Sequence, residues 1–224
     1  MALETTAGNL SAEDIYRRRF AEQEAFRDAM WKVLCADYFG RVVPRDATVV
    51  EIAAGYCEFI NNIDARRRIA VDINPETTRR AADGVEVVLT TSSDLSMIPS
   101  GSVDVAFTSN FFEHITREEI AATVREVHRV LAPGGRILIL QPNIRYVQRD
   151  YWMFFDHITA IDDRALCELL ELVGYRIELD IPRFLPYTTQ SRLPKSIGLL
   201  RLYLRLPILW RFFGGQAFIV GAKV

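Results

Sequence analysis

Thr48-Val-Val-Glu-Ile-Ala-Ala-Gly-Tyr-Cys-Glu-Phe59 is the stretch from which the fold can be read. Thr48 to Ile52 form a short apolar run of the kind that makes a buried strand. Ala53-Ala54-Gly55 form a small-residue turn where a ligand can approach the backbone, and Tyr56 onward reads as a helix whose free N–H groups face that ligand. Twenty-one residues after Glu51, Asp72 closes a second apolar run, Arg68-Ile-Ala-Val-Asp72. A carboxylate at that distance can accept both hydroxyl protons of a ribose, so the two segments together predict a nucleoside pocket at the carboxyl ends of parallel strands.

Further strands are expected at Val85 to Leu89, Val103 to Thr108, Arg136 to Gln141, Tyr175 to Ile181 and Gln216 to Val224. Between them, Thr116-Arg-Glu-Glu119 matches a capping box, and Ile120, Val124, Val127 and Leu131 share one face of the helix it opens. His128 lies beside that stripe and reads as structural. Arg164 to Val173 is the next helix. Parallel strands present their ends on one edge, so Ala53, Asp72, Asp94, Asn110 and Gln141 should converge there.

These residues resemble the class I S-adenosylmethionine-dependent methyltransferases. Glu51 to Phe59 is similar to that family's first motif, acidic-x-Gly-x-Gly-x-Gly, with Ala53 and Cys57 standing at the first and third glycines. An alanine there is expected to keep a negative φ. Val71-Asp72-Ile-Asn-Pro75 looks like the ribose-binding segment, Ser93-Asp94-Leu95 like the adenine-contacting segment, and Leu131-Ala-Pro-Gly-Gly-Arg136 like the turn before the fifth strand. The resemblance implies a Rossmann-like α/β sheet of seven strands, mostly parallel with the last antiparallel, flanked by helices. It implies S-adenosyl-L-methionine as cofactor, held by Glu51, Ala53, Ala54, Gly55, Asp72, Ile73, Asn74, Ser93, Asp94, Leu95 and Asn110. Asp94 is expected to take the adenine amino hydrogen and the Leu95 N–H to face a ring nitrogen.

The chain of 224 residues suits a single domain: an N-terminal helical lid (1–42), an α/β core (43–181), a basic, apolar insertion (182–215) and a closing strand (216–224). In the lid, Tyr16 and Arg17 to Arg19 are the residues expected to reach the pocket. The net charge of −2 hides an asymmetry. Seven Lys or Arg residues and no Asp or Glu follow Asp180, which leaves −9 on the first 180 residues. An acidic body without an RNA-binding module argues against nucleic acid as substrate. Cys35, Cys57 and Cys167 have no metal-ligand spacing, so no metal is expected and the thiols read as reduced, as in a cytoplasmic protein. No apolar signal region or membrane-spanning run is present in the sequence.

The acceptor side is expected in the long aromatic segment Asn143 to His157 and in Glu113-His114 at a strand end. His157 is the leading acid/base candidate and His114 the second, with Asp156, Tyr151 and Arg145 orienting the acceptor. A hydroxyl acceptor needs a base for in-line displacement, whereas an amine or carboxylate needs only positioning. Small-molecule and glycan acceptors both suit this reading, with O-methylation the expected outcome. Tyr187, Thr188, Thr189 and Arg192 are placed at the acceptor side. Residues 195–213, with Arg201 and Arg205 one turn apart among leucines, suggest peripheral contact with the inner face of a membrane or with a lipid-linked acceptor. Two alternatives stay open: an enzyme that holds the same cofactor without net methyl transfer, and a non-enzymatic module that binds a membrane or a partner.

Overall fold

A computed structural model describes residues 24–187 and 196–224. Seven strands make one sheet in the order β3-β2-β1-β4-β5-β7-β6: β1 is Thr48–Ile52, β2 Arg67–Asp72, β3 Val85–Leu89, β4 Val103–Ser109, β5 Leu131–Pro142, β6 Tyr175–Ile181 and β7 Gln216–Lys223. β1 to β5 run parallel, and β7 lies antiparallel between β5 and β6. This is the predicted Rossmann-like sheet, and the crevice where strand order reverses lies between β1 and β4.

Both sheet faces are covered, which explains why β1 and β4 read as near-continuous apolar runs. Val49 and Phe107 point to one face with Trp31, Leu34, Phe39, Phe59 and Phe218; Val50 and Ala106 point to the other with Val124, Val127, Leu166 and Leu170. Phe59 and Phe107 stack at 3.8 Å between ring centroids, which locks the segment after β1 to the sheet.

The helices are α1 (Glu24–Asp37), α2 (Glu76–Arg80), α3 (Arg117–Val130), α4 (Ile144–Tyr151), α5 (Asp163–Val173), α6 (Ile197–Arg205) and α7 (Pro207–Phe213). Thr116 and Glu119 form the expected capping box of α3. Asp162 caps α5, and Gly174 in a left-handed conformation ends it.

Two expectations about local structure are corrected. No α-helix follows Gly55; residues 55–62 are successive turns, because Cys57 takes φ +60° and the Glu51 carboxylate claims the Ile60 N–H that a helix would use. The fifth strand begins at Leu131 rather than Arg136, with a register shift where it passes Val103 to Val105. The basic apolar helix with Arg201 and Arg205 one turn apart is present as Ile197–Arg205, and a second helix, Pro207–Phe213, follows it from Leu206. The N-terminal candidates Tyr16 and Arg17 to Arg19 lie outside the described residues, as do Thr188, Thr189 and Arg192. Among the described residues no helix is long and apolar enough to cross a membrane.

Candidate active site

Ala53, Gly55 and Cys57 all adopt left-handed backbone conformations, with φ of 57°, 52° and 60°. The negative φ expected of Ala53 is therefore wrong. A twist that glycine would adopt without strain is imposed on alanine and cysteine by bonds on either side of the bend. The Ala54 N–H donates to the Val71 carbonyl at 3.1 Å, the Gly55 N–H to Asp72 Oδ2 at 2.7 Å, and Thr77 Oγ1 to the Gly55 carbonyl at 2.9 Å. The Cys57 side chain is buried beneath the bend, near the Thr77 carbonyl, and leaves the bend open. Burial pushes its thiol up to about 12, so it is an inert core group.

Asp72 is half-buried at the mouth of the crevice. Its Oδ1 accepts the Asn74 N–H at 2.8 Å while Oδ2 holds Gly55, and no ion pair of Asp72 is found among the described residues. An ionised carboxylate has about four lone-pair sites, so each oxygen keeps capacity for one more donor, as a ribose diol requires. Ile73 beside it is 66 % exposed and offers an apolar surface to a base. Glu51 lies buried under the bend, and desolvation raises its carboxyl well above the usual range despite the Ile60 N–H at 3.0 Å.

These groups line one cavity of about 900 Å³, large for a small-molecule site, where roughly 300–1,000 Å³ is usual. Glu51, Ala53, Ala54, Gly55, Asp72, Ile73, Asn74, Ser93 and Asn110 all reach it. Asp94 and Leu95 do not line it, which corrects the adenine-contacting assignment. The Asp94 carboxylate accepts the Ser96 N–H in a tight turn, and the Leu95 N–H donates to Glu126 while its side chain enters the core. Thr90 to Ser93 form that wall instead.

The opposite end of the cavity contains Glu113, His114, Asp156 and His157. Glu113 is buried: its Oε2 accepts Gln141 Nε2 at 2.7 Å, and its carbonyl accepts the N–H groups of Ile158 and Thr159. The strand-end loop and the segment after α4 are thereby fixed to each other. Burial raises the Glu113 carboxyl. Its Oε1 lies 3.7 Å from His114 Nε2 and 4.0 Å from His157 Nε2. On the far side of the His114 ring, Nδ1 faces the Asp156 carboxylate at 3.3 Å and its carbonyl at 3.1 Å.

Two acceptor-side expectations fail. Tyr151 is fully buried and donates its hydroxyl to the Thr159 carbonyl at 2.5 Å, so it braces the loop behind His157. Arg145 pairs with the buried Asp163 at 2.8 and 2.9 Å, away from the cavity. Glu113, placed at the acceptor side together with His114 but given no role from sequence, proves to be the buried group on which both histidines converge. The roof comes from α1, through Phe26, Arg27 and Met30, with Arg27 paired to Glu58. Leu199, Leu202 and Phe213 of α6 and α7 extend the lining into an apolar wall whose outer parts are half-exposed.

Residues 50–139 match the profile of a family described as a methyltransferase domain. No curated protein matches the sequence. Among solved structures, the chain is similar to a SAM-dependent methyltransferase from Archaeoglobus fulgidus (18 % identity, TM-score 0.66, covering 95 % of this chain and 100 % of that one). It is also similar to a possible histamine N-methyltransferase from Thermotoga maritima (18 %, 0.65, 94 % and 98 %). A third is the geranyl diphosphate C-methyltransferase of Streptomyces coelicolor A3(2), solved with Mg2+, geranyl diphosphate and S-adenosyl-L-homocysteine (17 %, 0.61, 97 % and 86 %). At these identities the likeness is one of fold.

Proposed function

We propose that this chain, a class I methyltransferase by its fold and its domain match, transfers a methyl group from S-adenosyl-L-methionine to a hydroxyl of a small amphipathic acceptor such as a lipid-linked saccharide. The observation that carries this reading is Asp72 at the end of β2, tethered by Gly55 and Asn74 and open to the cavity that also contains His114 and His157. Bound S-adenosyl-L-methionine supplies a methyl group activated on a sulfonium. Asp72 would receive the ribose hydroxyls, Ile73 and Thr90 to Ser93 would enclose the base, and the backbone from Ala53 to Gly55 with Asn110 would border the amino-acid end.

Deprotonation of the acceptor hydroxyl belongs to the far end, where Glu113, His114 and His157 converge on the cavity. A hydroxyl is a weak nucleophile, and a fixed cluster of imidazole and carboxylate acceptors both orients it and offers its proton a route away. The half-exposed leucines and Phe213 of α6 and α7 suit a hydrocarbon tail, and Arg205 and Arg211 on the exposed side suit an anionic membrane that presents it. Arg201, grouped with Arg205 from sequence, pairs instead with Asp37 at 3.2 Å.

The test is release of S-adenosylhomocysteine in step with methylated product when the protein is incubated with labelled S-adenosylmethionine and lipid-linked saccharide acceptors. One equivalent of methylated product for each S-adenosylhomocysteine released is expected. Conversion of acceptor without its release would overturn the transfer reading.

A further inference from the structure

We propose that Glu113, His114 and His157 form a divalent-cation site facing the acceptor end of the cavity, with Glu113 Oε1 and one ring nitrogen of each histidine as ligands. The proposal rests on the methyl-transfer reading only for what the cation does there; the site itself stands on geometry. One ligand-capable atom from each of the three residues lies within 4.8 Å of the others, and the carboxylate-to-imidazole separations are 3.7 and 4.0 Å. Two donors on one zinc ion, each about 2.0–2.1 Å from the metal, span roughly 3.3 Å, so closing the set needs side-chain adjustments of about an ångström or less.

The surroundings are those of a supported metal site. A histidine ligand is held in one tautomer by a carboxylate or carbonyl on its other nitrogen, and His114 has both from Asp156. Gln141 occupies Glu113 Oε2 and leaves Oε1 turned toward the histidines. The carbonyl of Glu113 fixes the loop that carries His157, so donors 43 residues apart in sequence are clamped together. That distance hid the cluster from any reading of ligand spacing. Two imidazoles and one carboxylate suit Zn2+, Co2+ or Mn2+, and three protein ligands leave positions open toward the cavity.

At an open position the cation would take the acceptor hydroxyl and lower its pKa, as it does for bound water. The O–H bond then breaks with its proton passing to water. The oxygen lone pair forms the new O–CH3 bond as the S–CH3 bond breaks, and the electron pair of that bond stays on sulfur. The histidines serve as ligands in this scheme and water takes the proton.

Chelator-treated protein, without S-adenosylmethionine, is titrated with Co2+ and followed by calorimetry and visible absorption. One Co2+ per chain is expected, with d–d bands of a nitrogen–oxygen site and no thiolate charge-transfer band. Glu113→Gln, His114→Ala and His157→Ala should each weaken binding at least a hundredfold, and Asp156→Asn about tenfold, as an outer-sphere partner does. Each variant is also tested for S-adenosylhomocysteine binding, and retention of that binding shows an intact fold. Absence of stoichiometric Co2+ binding by the parent protein would overturn the site, as would unchanged binding in a folded His157→Ala variant. Cation binding without any cofactor binding would leave the site standing and sink the transfer reading.

Discussion

Asp72 Oδ2 accepts the backbone N–H of Gly55 at 2.7 Å, which ties the end of the second strand to the bend that follows the first. One carboxylate thus organises the bend and presents the acceptors that a ribose needs. Asp72→Asn keeps the size but turns an amide toward an N–H donor, and a donor facing a donor leaves a partly buried group unmet. A loss of about 1–3 kcal/mol is expected in urea unfolding of the variant without cofactor.

Glu51 carries the pH prediction. Burial raises its folded-state carboxyl well above the unfolded value. The folded protein therefore holds this proton to higher pH than the unfolded chain does. The corresponding stability is present below the unfolded value of about 4.3 and is lost as pH rises through the folded value. Glu51→Gln still accepts the Ile60 N–H and cannot ionise. Thermal unfolding from pH 4 to pH 8 should show the variant gaining on the parent as pH rises, with the higher melting temperature at pH 8. A parent more stable than the variant at pH 8 would contradict the assignment.

Ala53 sits at φ 57°, a conformation that costs an L-residue roughly 1–2 kcal/mol. Ala53→Gly relieves that cost and adds unfolded-state entropy of about 0.5–1 kcal/mol, so chemical denaturation should find the variant equal to or slightly more stable than the parent. Destabilisation beyond 1 kcal/mol would show that the bend is not strained.

Arg205 and Arg211 are exposed among Leu202, Leu206, Ile208 and Phe212, all at least 40 % accessible. A basic residue near an anionic bilayer contributes about 1 kcal/mol, so reversing both should weaken co-sedimentation with phosphatidylserine vesicles by at least about tenfold. Arg201→Glu alone should matter less, because Arg201 is engaged with Asp37. Equal binding by the double variant and the parent would remove the membrane contact.

The sheet was legible because buried parallel strands leave apolar runs that end in turn residues, and six of the seven strands fall within a residue of the reading. The turns after Gly55 were not, since helical propensity cannot reveal that Glu51 would take the Ile60 N–H or that Cys57 would be twisted to positive φ. Asp94 had the residue type of a ligand group, but it turns with Ser96 at the surface and does not join the cavity lining. Arg145 and Tyr151 were lost to partners at Asp163 and Thr159, which close only when the chain folds. Asp72, Asn110, His114 and His157 reach the cavity because their places at strand ends and on the long segment after β5 follow from topology alone.

The central claim, that a nucleoside cofactor lies across the carboxyl edge with its sugar on Asp72, is tested most directly by calorimetric titration of the protein and its Asp72→Ala variant with S-adenosylhomocysteine. One molecule bound per chain is expected for the parent, with affinity reduced at least a hundredfold in a variant that remains folded. No binding by the parent, or equal binding by both, would contradict it.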